Sequence, residues 1–116
     1  MNPRKVPRTS GTHPLVKEEL VRYGTPQALK PFLGAALAFW FEAADHGLPP
    51  GIAHDELISV RRGEPKSDWR LYLIHKCGFR IGIAERLDGE DLLLLLLIPA
   101  KNITAAEALQ EARKRL

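Results

Sequence analysis

The chain has 116 residues, of which 45% are hydrophobic, and it carries 17 Lys and Arg against 14 Asp and Glu. A chain of this length forms one domain that buries a core without disulfides or a metal, and its single cysteine, Cys77, excludes an internal disulfide. The N-terminal residues lack the apolar stretch of a secretory signal, and the apolar run at 32–41 is about half as long as a membrane span requires. We therefore expect a soluble, cytoplasmic protein.

The positive charge is concentrated in the first 30 residues, which hold six Lys and Arg against two Glu. Residues 1–12 contain Pro3, Pro7 and Gly11 and almost nothing to bury, so we predict a disordered basic arm followed by one domain over residues 13–116. Such an arm can weakly attract phosphates or an acidic partner, or it can be an ordinary solvated tail.

Two helices are predicted after the arm. Pro14 suits the first position of a helix that stops at Gly24. Thr25-Pro26 offers a cap and a first position for a second helix that stops at Gly47, but Pro31 follows one turn later, so the regular helix can also begin at Pro31. The second helix is apolar around most of its circumference. This pattern is typical of a helix central to a core, and the alternative is a helix whose exposed half binds a partner.

The runs at 69–75 and 79–86 predict a β-hairpin, which follows a predicted strand over 56–62. A two-residue turn would force Cys77 to a positive φ, so we predict a three-residue loop with Gly78 in the left-handed position. This choice decides which side chains share a face of the hairpin.

In this predicted register one face of the hairpin is apolar and packs on the core, and His75 lies on that face opposite Phe79. The other face gathers charged and polar side chains on one surface, namely Arg70, Tyr72, Arg80 and Lys76. The hairpin therefore predicts a basic surface opposite the core.

The apolar residues at 92–98 lie between an Asp-Gly turn signal and Pro99, which fits a strand buried on both faces. Thr104 and Glu107 then form a capping box at the start of an amphipathic helix. The predicted fold class is α+β, with two N-terminal helices packed on an antiparallel β-meander of three to four strands and a closing C-terminal helix.

Most catalytic signatures are missing, since the sequence has no glycine-rich phosphate loop, no H-E-x-x-H, no Cys-x-x-Cys and no G-x-S-x-G elbow. Acidic and histidine side chains around the end of the second helix offer ligands for a divalent cation, namely Glu42, Asp45, His46, His54, Asp55 and Glu56. The same residues also suit a helix end and a polar entry to a strand, so we predict neither a metal nor a cofactor. Structural roles are expected for His75 and Cys77 at the hairpin tip.

The C-terminal half shows a definite order of residues: Trp69-Arg70-Leu71, a short turn, Gly78-Phe79-Arg80-Ile81, Asp88-Gly89, an apolar strand, Lys101, and a helix ending Ala-Arg-Lys-Arg-Leu. This order, over residues 57–116, resembles the RelE/HigB-type toxins of bacterial toxin–antitoxin pairs. The resemblance implies a small basic protein with helices packed on an antiparallel sheet. It also implies that this protein cleaves messenger RNA or acts on the ribosome without a metal, and that an antitoxin silences it. Members usually have a strand ahead of the helices, and this sequence predicts none there.

The resemblance also implies roles for individual residues. Phosphate binding and stabilisation of developing charge would fall to Arg70, Arg80 and Lys101. Contacts to nucleic acid are expected from neighbouring side chains, namely Tyr72, Lys76, Arg61 and Arg62. Two alternatives remain: a non-catalytic adaptor or inhibitor, such as one encoded by a mobile element, that uses helix 32–41 or the sheet edge, and a nucleic-acid binder that uses the basic arm.

Overall fold

A computed structural model describes residues 9–61, 66–87 and 91–116. The elements in chain order are β1 (Thr9–Thr12), α1 (Pro14–Gly24), α2 (Lys30–His46), β2 (Glu56–Arg61), β3 (Lys66–Lys76), β4 (Phe79–Arg86), β5 (Asp91–Pro99), a 3-10 turn (Ala100–Asn102) and α3 (Ala105–Arg115). The α+β class is confirmed, with three helices and a five-stranded sheet among the described residues.

The strands form one mixed sheet in the order β1-β5-β4-β3-β2. The antiparallel part runs from β2 to β5, as the predicted meander requires, and β1 joins it in parallel beside β5. Apolar side chains of α1 and α2 pack on one face of the sheet, and α3 packs on the other. The prediction of a purely antiparallel sheet is therefore wrong, because a strand from the N-terminal segment completes it.

The prediction of a disordered arm over residues 1–12 is wrong for residues 9–12, because they form the edge strand β1. Thr9 to Thr12 pair with Asp91 to Leu94, and the N–H of His13 continues the pairing by donating to the carbonyl of Leu94 at 2.8 Å. The sequence Thr-Ser-Gly-Thr carries no apolar alternation, so its extended form comes from backbone hydrogen bonds to β5 rather than from local pattern. Residues 1–8 of the predicted arm lie outside the described residues.

The helix bounds follow the predicted signals closely. α1 begins at Pro14 and ends at Gly24, and the imidazole of His13 caps its start by accepting from the N–H of Leu15 at 3.1 Å. α2 has Pro31 in its first turn and is ended by Gly47 at φ 82°. One side of α2 is buried, but Phe32 and Phe41 are 53% and 59% exposed, so the helix is covered on one side only.

The hairpin turn differs from its prediction by one residue. Cys77 and Gly78 both adopt positive φ, 53° and 77°, and Lys76 pairs directly with Phe79. This is the backbone of a two-residue type I′ turn, whose twist matches that of the flanking strands. A cysteine in the left-handed region costs about 1–2 kcal/mol, which the packing of both sheet faces outweighs.

The shift changes every facing pair in the hairpin. Tyr72 now lies opposite Ile83 under the helix pair, and Leu71 lies opposite Ala84 under α3. A one-residue slip exchanges the faces of one strand relative to the other. The predicted division into one apolar face and one basic face is therefore wrong, since both faces of this hairpin contribute to a hydrophobic core.

The strained turn residue leads to a stability prediction. We expect Cys77→Asn to raise the free energy of unfolding by about 1 kcal/mol, because asparagine tolerates positive φ and Asn-Gly is the preferred type I′ sequence. Urea unfolding followed by circular dichroism measures the gain. Cys77→Ala is the matched control, since it removes the thiol but keeps the strain, and an equal gain from both variants would contradict this explanation.

Candidate functional site at the hairpin end of the sheet

Arg70 lies on the sheet face that carries α1 and α2. It faces Glu85 across the hairpin, with Nη1 3.6 Å from Oε1, and it also donates to the carbonyl of Leu87 at 3.4 Å. The hydroxyl of Tyr72 donates to the same carboxylate at 2.9 Å. Tyr72 is only 5% exposed, so its ring belongs to the core and presents no open face on which a base could stack.

Arg80 lies on the opposite face, beside the start of α3. Its Nε donates to the carbonyl of Ile103 at 2.8 Å, which ties the hairpin to the segment before α3. His75 is its facing partner on β3 and is exposed. The Cβ atoms of residues that face each other across antiparallel strands lie about 5 Å apart, so the side chains of His75 and Arg80 leave the same face of the sheet side by side.

Lys101 lies in the 3-10 turn that follows β5. This turn is fastened to the hairpin because the N–H of Ala100 donates to the carbonyl of Gly78 at 2.8 Å. Lys101 is exposed beside the hairpin tip. Arg80 and Lys101 therefore lie at the same end of the sheet, since Lys101 belongs to the segment that joins β5 to α3 and Arg80 bonds to that segment at Ile103.

The three residues with implied catalytic roles do not share one surface. Arg70 is five positions from His75 along β3, which places it about 16 Å from the level of Arg80, and it lies on the other face. The prediction that Arg70 and Arg80 share a face is wrong, because it depended on the three-residue loop. The structure instead brings His75, predicted to face the core, next to Arg80 on an exposed surface.

The residues expected to contact nucleic acid are also dispersed. Lys76 lies on the helix side of the hairpin, with Nζ 5.6 Å from the centre of the Phe39 ring. Arg61 is the last residue of β2, and Arg62 lies outside the described residues. The sequence predicts that His75 lies opposite Arg80 only if the hairpin has a two-residue turn at Cys77 and Gly78.

Comparison of this chain with protein-family models, with curated proteins and with solved structures gave no match. Within the described ranges, no group of three or more His, Cys, Asp and Glu side chains is placed to hold a metal ion. Across the same part of the chain, no helix is both long enough and apolar enough to cross a membrane.

A groove of about 500 Å³ opens beside the same end of the sheet, between the start of α2 and the hairpin tip. Its walls are mainly apolar and contain a single charged side chain, and they are formed by Leu29, Phe32, Cys77, Gly78, Phe79, Pro99, Ala100 and Lys101. The groove and the pair of His75 and Arg80 are thus the two chemically distinct surfaces at the hairpin end.

The helix α3 is held over its face of the sheet by ion pairs at its C-terminal end. Arg113 pairs with Glu56 at the start of β2, with Nε 3.0 Å from Oε2, and this hydrogen bond lowers the pKa of Glu56. Arg115 pairs with the buried Glu19 of α1 at 2.7 Å. Because these pairs reach β2 and α1, they fix the position of α3 and of the preceding segment that bonds to Arg80.

Proposed function

We propose that this chain is a RelE/HigB-like toxin that acts on messenger RNA or the ribosome by metal-independent RNA cleavage. The observation that carries the proposal is β1, because the family resembled usually has a strand ahead of its two helices and the sequence alone predicted none. The helix pair on one sheet face and the helix after Lys101 also agree with that resemblance. The partner implied is an antitoxin.

The site that we assign to this activity is the hairpin end of the sheet. Arg80 and Lys101 supply positive charge for a phosphodiester and for the negative charge that grows on it during cleavage. His75 faces Arg80 and is exposed, and histidine is the side chain most often used to transfer protons in enzymes. Arg70 is assigned a structural role, since it pairs with Glu85 on the other face of the sheet, away from Arg80.

Expression in a bacterial host tests this assignment. The wild-type chain should arrest growth and cut messenger RNA, which primer extension detects. Arg80→Ala and Lys101→Ala should each lower cleavage about 10²–10³-fold, the usual loss when one preorganised charge-stabilising group is removed. His75→Ala should lower it as well, through lost proton transfer.

The matched control is Lys17→Ala, an exposed cation on α1 away from the hairpin end, which should cleave like the wild type. Circular dichroism and thermal unfolding distinguish lost chemistry from lost folding, which matters for Arg80 because it bonds to Ile103. Normal growth with intact messenger RNA on expression of the wild-type chain would remove the proposal.

A second candidate function is favoured by the uncovered side of α2. Phe32 and Phe41, on opposite flanks of α2, are both more than half exposed, and either could contact another protein in a non-catalytic adaptor or inhibitor. For this function, the double variant Phe32→Ser and Phe41→Ser should improve solubility without unfolding the chain, while Arg80→Ala should change no phenotype.

A further inference from the structure

Two phenylalanines on one flank of α2 differ in what covers them. Phe39 faces the hairpin and lies beneath the ammonium of Lys76, which stacks over its ring. Phe32, seven residues earlier on the same flank, has no such cover and forms one wall of the groove. Residues seven apart lie on the same side of a helix, so the flank facing the hairpin tip is covered at one end and open at the other.

The groove is suited to an apolar side chain. Besides Phe32, the half-buried Leu29 contributes an apolar surface, and the buried residues Phe79 and Pro99 also line the groove. Gly78 contributes a wall without a side chain, and there is open space where its Cβ would lie. A volume of about 500 Å³ exceeds that of one amino-acid side chain, so the groove can hold an anchor residue together with part of its neighbours.

The charge at the groove has one sign. Lys101 is the charged residue of the wall, and Lys76 and Lys30 lie in the elements that border it. The eight wall residues include no Asp or Glu. A ligand with carboxylates beside its apolar group would therefore gain attraction at the rim, whereas a ligand with cations there would be repelled.

We propose that this groove binds a segment of a partner protein in which a large apolar side chain is flanked by Asp or Glu. The apolar side chain packs against Phe32 and Leu29, and the acidic neighbours meet Lys101 at the rim. This site shares Lys101 with the proposed cleavage site but goes beyond that proposal, since Phe32 has no part in RNA cleavage and peptide binding can be measured without RNA.

Nuclear magnetic resonance on the ¹⁵N-labelled full chain tests the site with three blocked tripeptides. Ac-Glu-Phe-Glu-NH2 should give saturable shifts in the amides of Gly78, Phe79, Ala100 and Lys101. Ac-Lys-Phe-Lys-NH2, with reversed charge, and Ac-Glu-Ser-Glu-NH2, without the apolar anchor, should each bind at least about tenfold more weakly, because each removes one of the two attractions.

Two pairs of variants locate the site. Phe32→Ser and Lys101→Glu should weaken Ac-Glu-Phe-Glu-NH2 at least about tenfold, while their matched controls, Phe41→Ser on the other flank of α2 and Lys114→Glu on α3, should leave it unchanged. Equal affinity for all three peptides, or shifts mapped to Phe41, would overturn the proposal. Shifts at the groove that grow with protein concentration before any peptide is added would also overturn it, in favour of a second copy of this chain as the occupant.

Discussion

Arg115→Met is expected to lower the free energy of unfolding by about 3–5 kcal/mol, which is the usual penalty for leaving a buried charge without its partner. The side chains of Glu19 and Arg115 are only 5% and 9% exposed, and their charged atoms lie 2.7 Å apart. Arg115 also bonds to Glu111 at 3.0 Å, within α3. The loss should be measured by urea unfolding at pH 7.

The position of this ion pair in the sheet explains the size of the effect. β1 pairs with β5 only as far as Leu94, after which the chain turns away into α1. Just beyond that point, Glu19 accepts from the N–H of Leu97 at 2.9 Å and Arg115 donates to the carbonyl of Leu95 at 2.9 Å. The two side chains thus replace hydrogen bonds that a longer β1 would have made, and both backbone groups would otherwise be left unpaired in the interior.

The penalty should depend on pH. Burial raises the pKa of Glu19 above its ordinary value of 4.5, although Leu97 and Arg115 partly oppose this. Between pH 4.5 and the raised pKa, Glu19 is protonated in the folded state but ionised in the unfolded state. The contribution of Glu19 to the free energy of unfolding therefore falls as pH rises through this range. Without Arg115 the pKa of Glu19 rises further, and the loss caused by Arg115→Met should be smaller at pH 4 than at pH 7.

A second substitution and two controls complete this test. Adding Glu19→Gln to Arg115→Met removes the unpaired charge but keeps an acceptor for Leu97, so at least half of the lost stability should return at pH 7. Lys114→Met and Glu18→Gln alter exposed neighbours and should change stability by no more than about 0.5 kcal/mol. A penalty below 1 kcal/mol for Arg115→Met, or one independent of pH, would contradict the proposed role of the pair.

The second large effect is expected at Gly82, where α3 approaches the sheet. A Cβ there would lie 3.1 Å from the Cβ of Leu96 and 3.2 Å from the Cβ of Ala112, and the neighbouring strand has a bulge at this point. Gly82→Ala should therefore lower the free energy of unfolding by about 1–3 kcal/mol through overpacking. Gly82→Phe should prevent α3 from packing at all, because the ring would have to occupy the space already filled by Leu96 and Ala112.

Thermal and urea unfolding of paired variants separates overpacking from a general effect of losing glycine. Gly82→Ala combined with Ala112→Gly should be more stable than the sum of the single effects predicts, because the second change relieves one of the two close contacts. Gly34→Ala is the matched control: it lies in the exposed part of α2 with open space around its Cβ position, and it should raise stability by about 0.5–1 kcal/mol. If Gly82→Ala also raised stability, the close packing of α3 on β4 would be contradicted.

Local signals determined several elements of this protein. Proline at position 14 and glycine at 47 mark the start of α1 and the end of α2, and the Thr104–Glu107 capping box begins α3 with both of its hydrogen bonds formed. The strand at β5 was predicted from its apolar run and is confirmed. These features depend on residues within a few positions of one another, so the sequence contains the whole interaction that specifies them.

Tertiary structure alone decided the features on which the candidate site depends. β1 exists because β5 offers it a row of backbone partners 82 positions away, an interaction that no local pattern reveals. Cys77 adopts a strained backbone conformation because the resulting register buries both faces of the hairpin. The same register places Arg70 and Arg80 on opposite faces of the sheet and places His75 opposite Arg80. The cost of about 1–2 kcal/mol for a left-handed backbone conformation at Cys77 is smaller than the free energy gained when two strands pack against three helices.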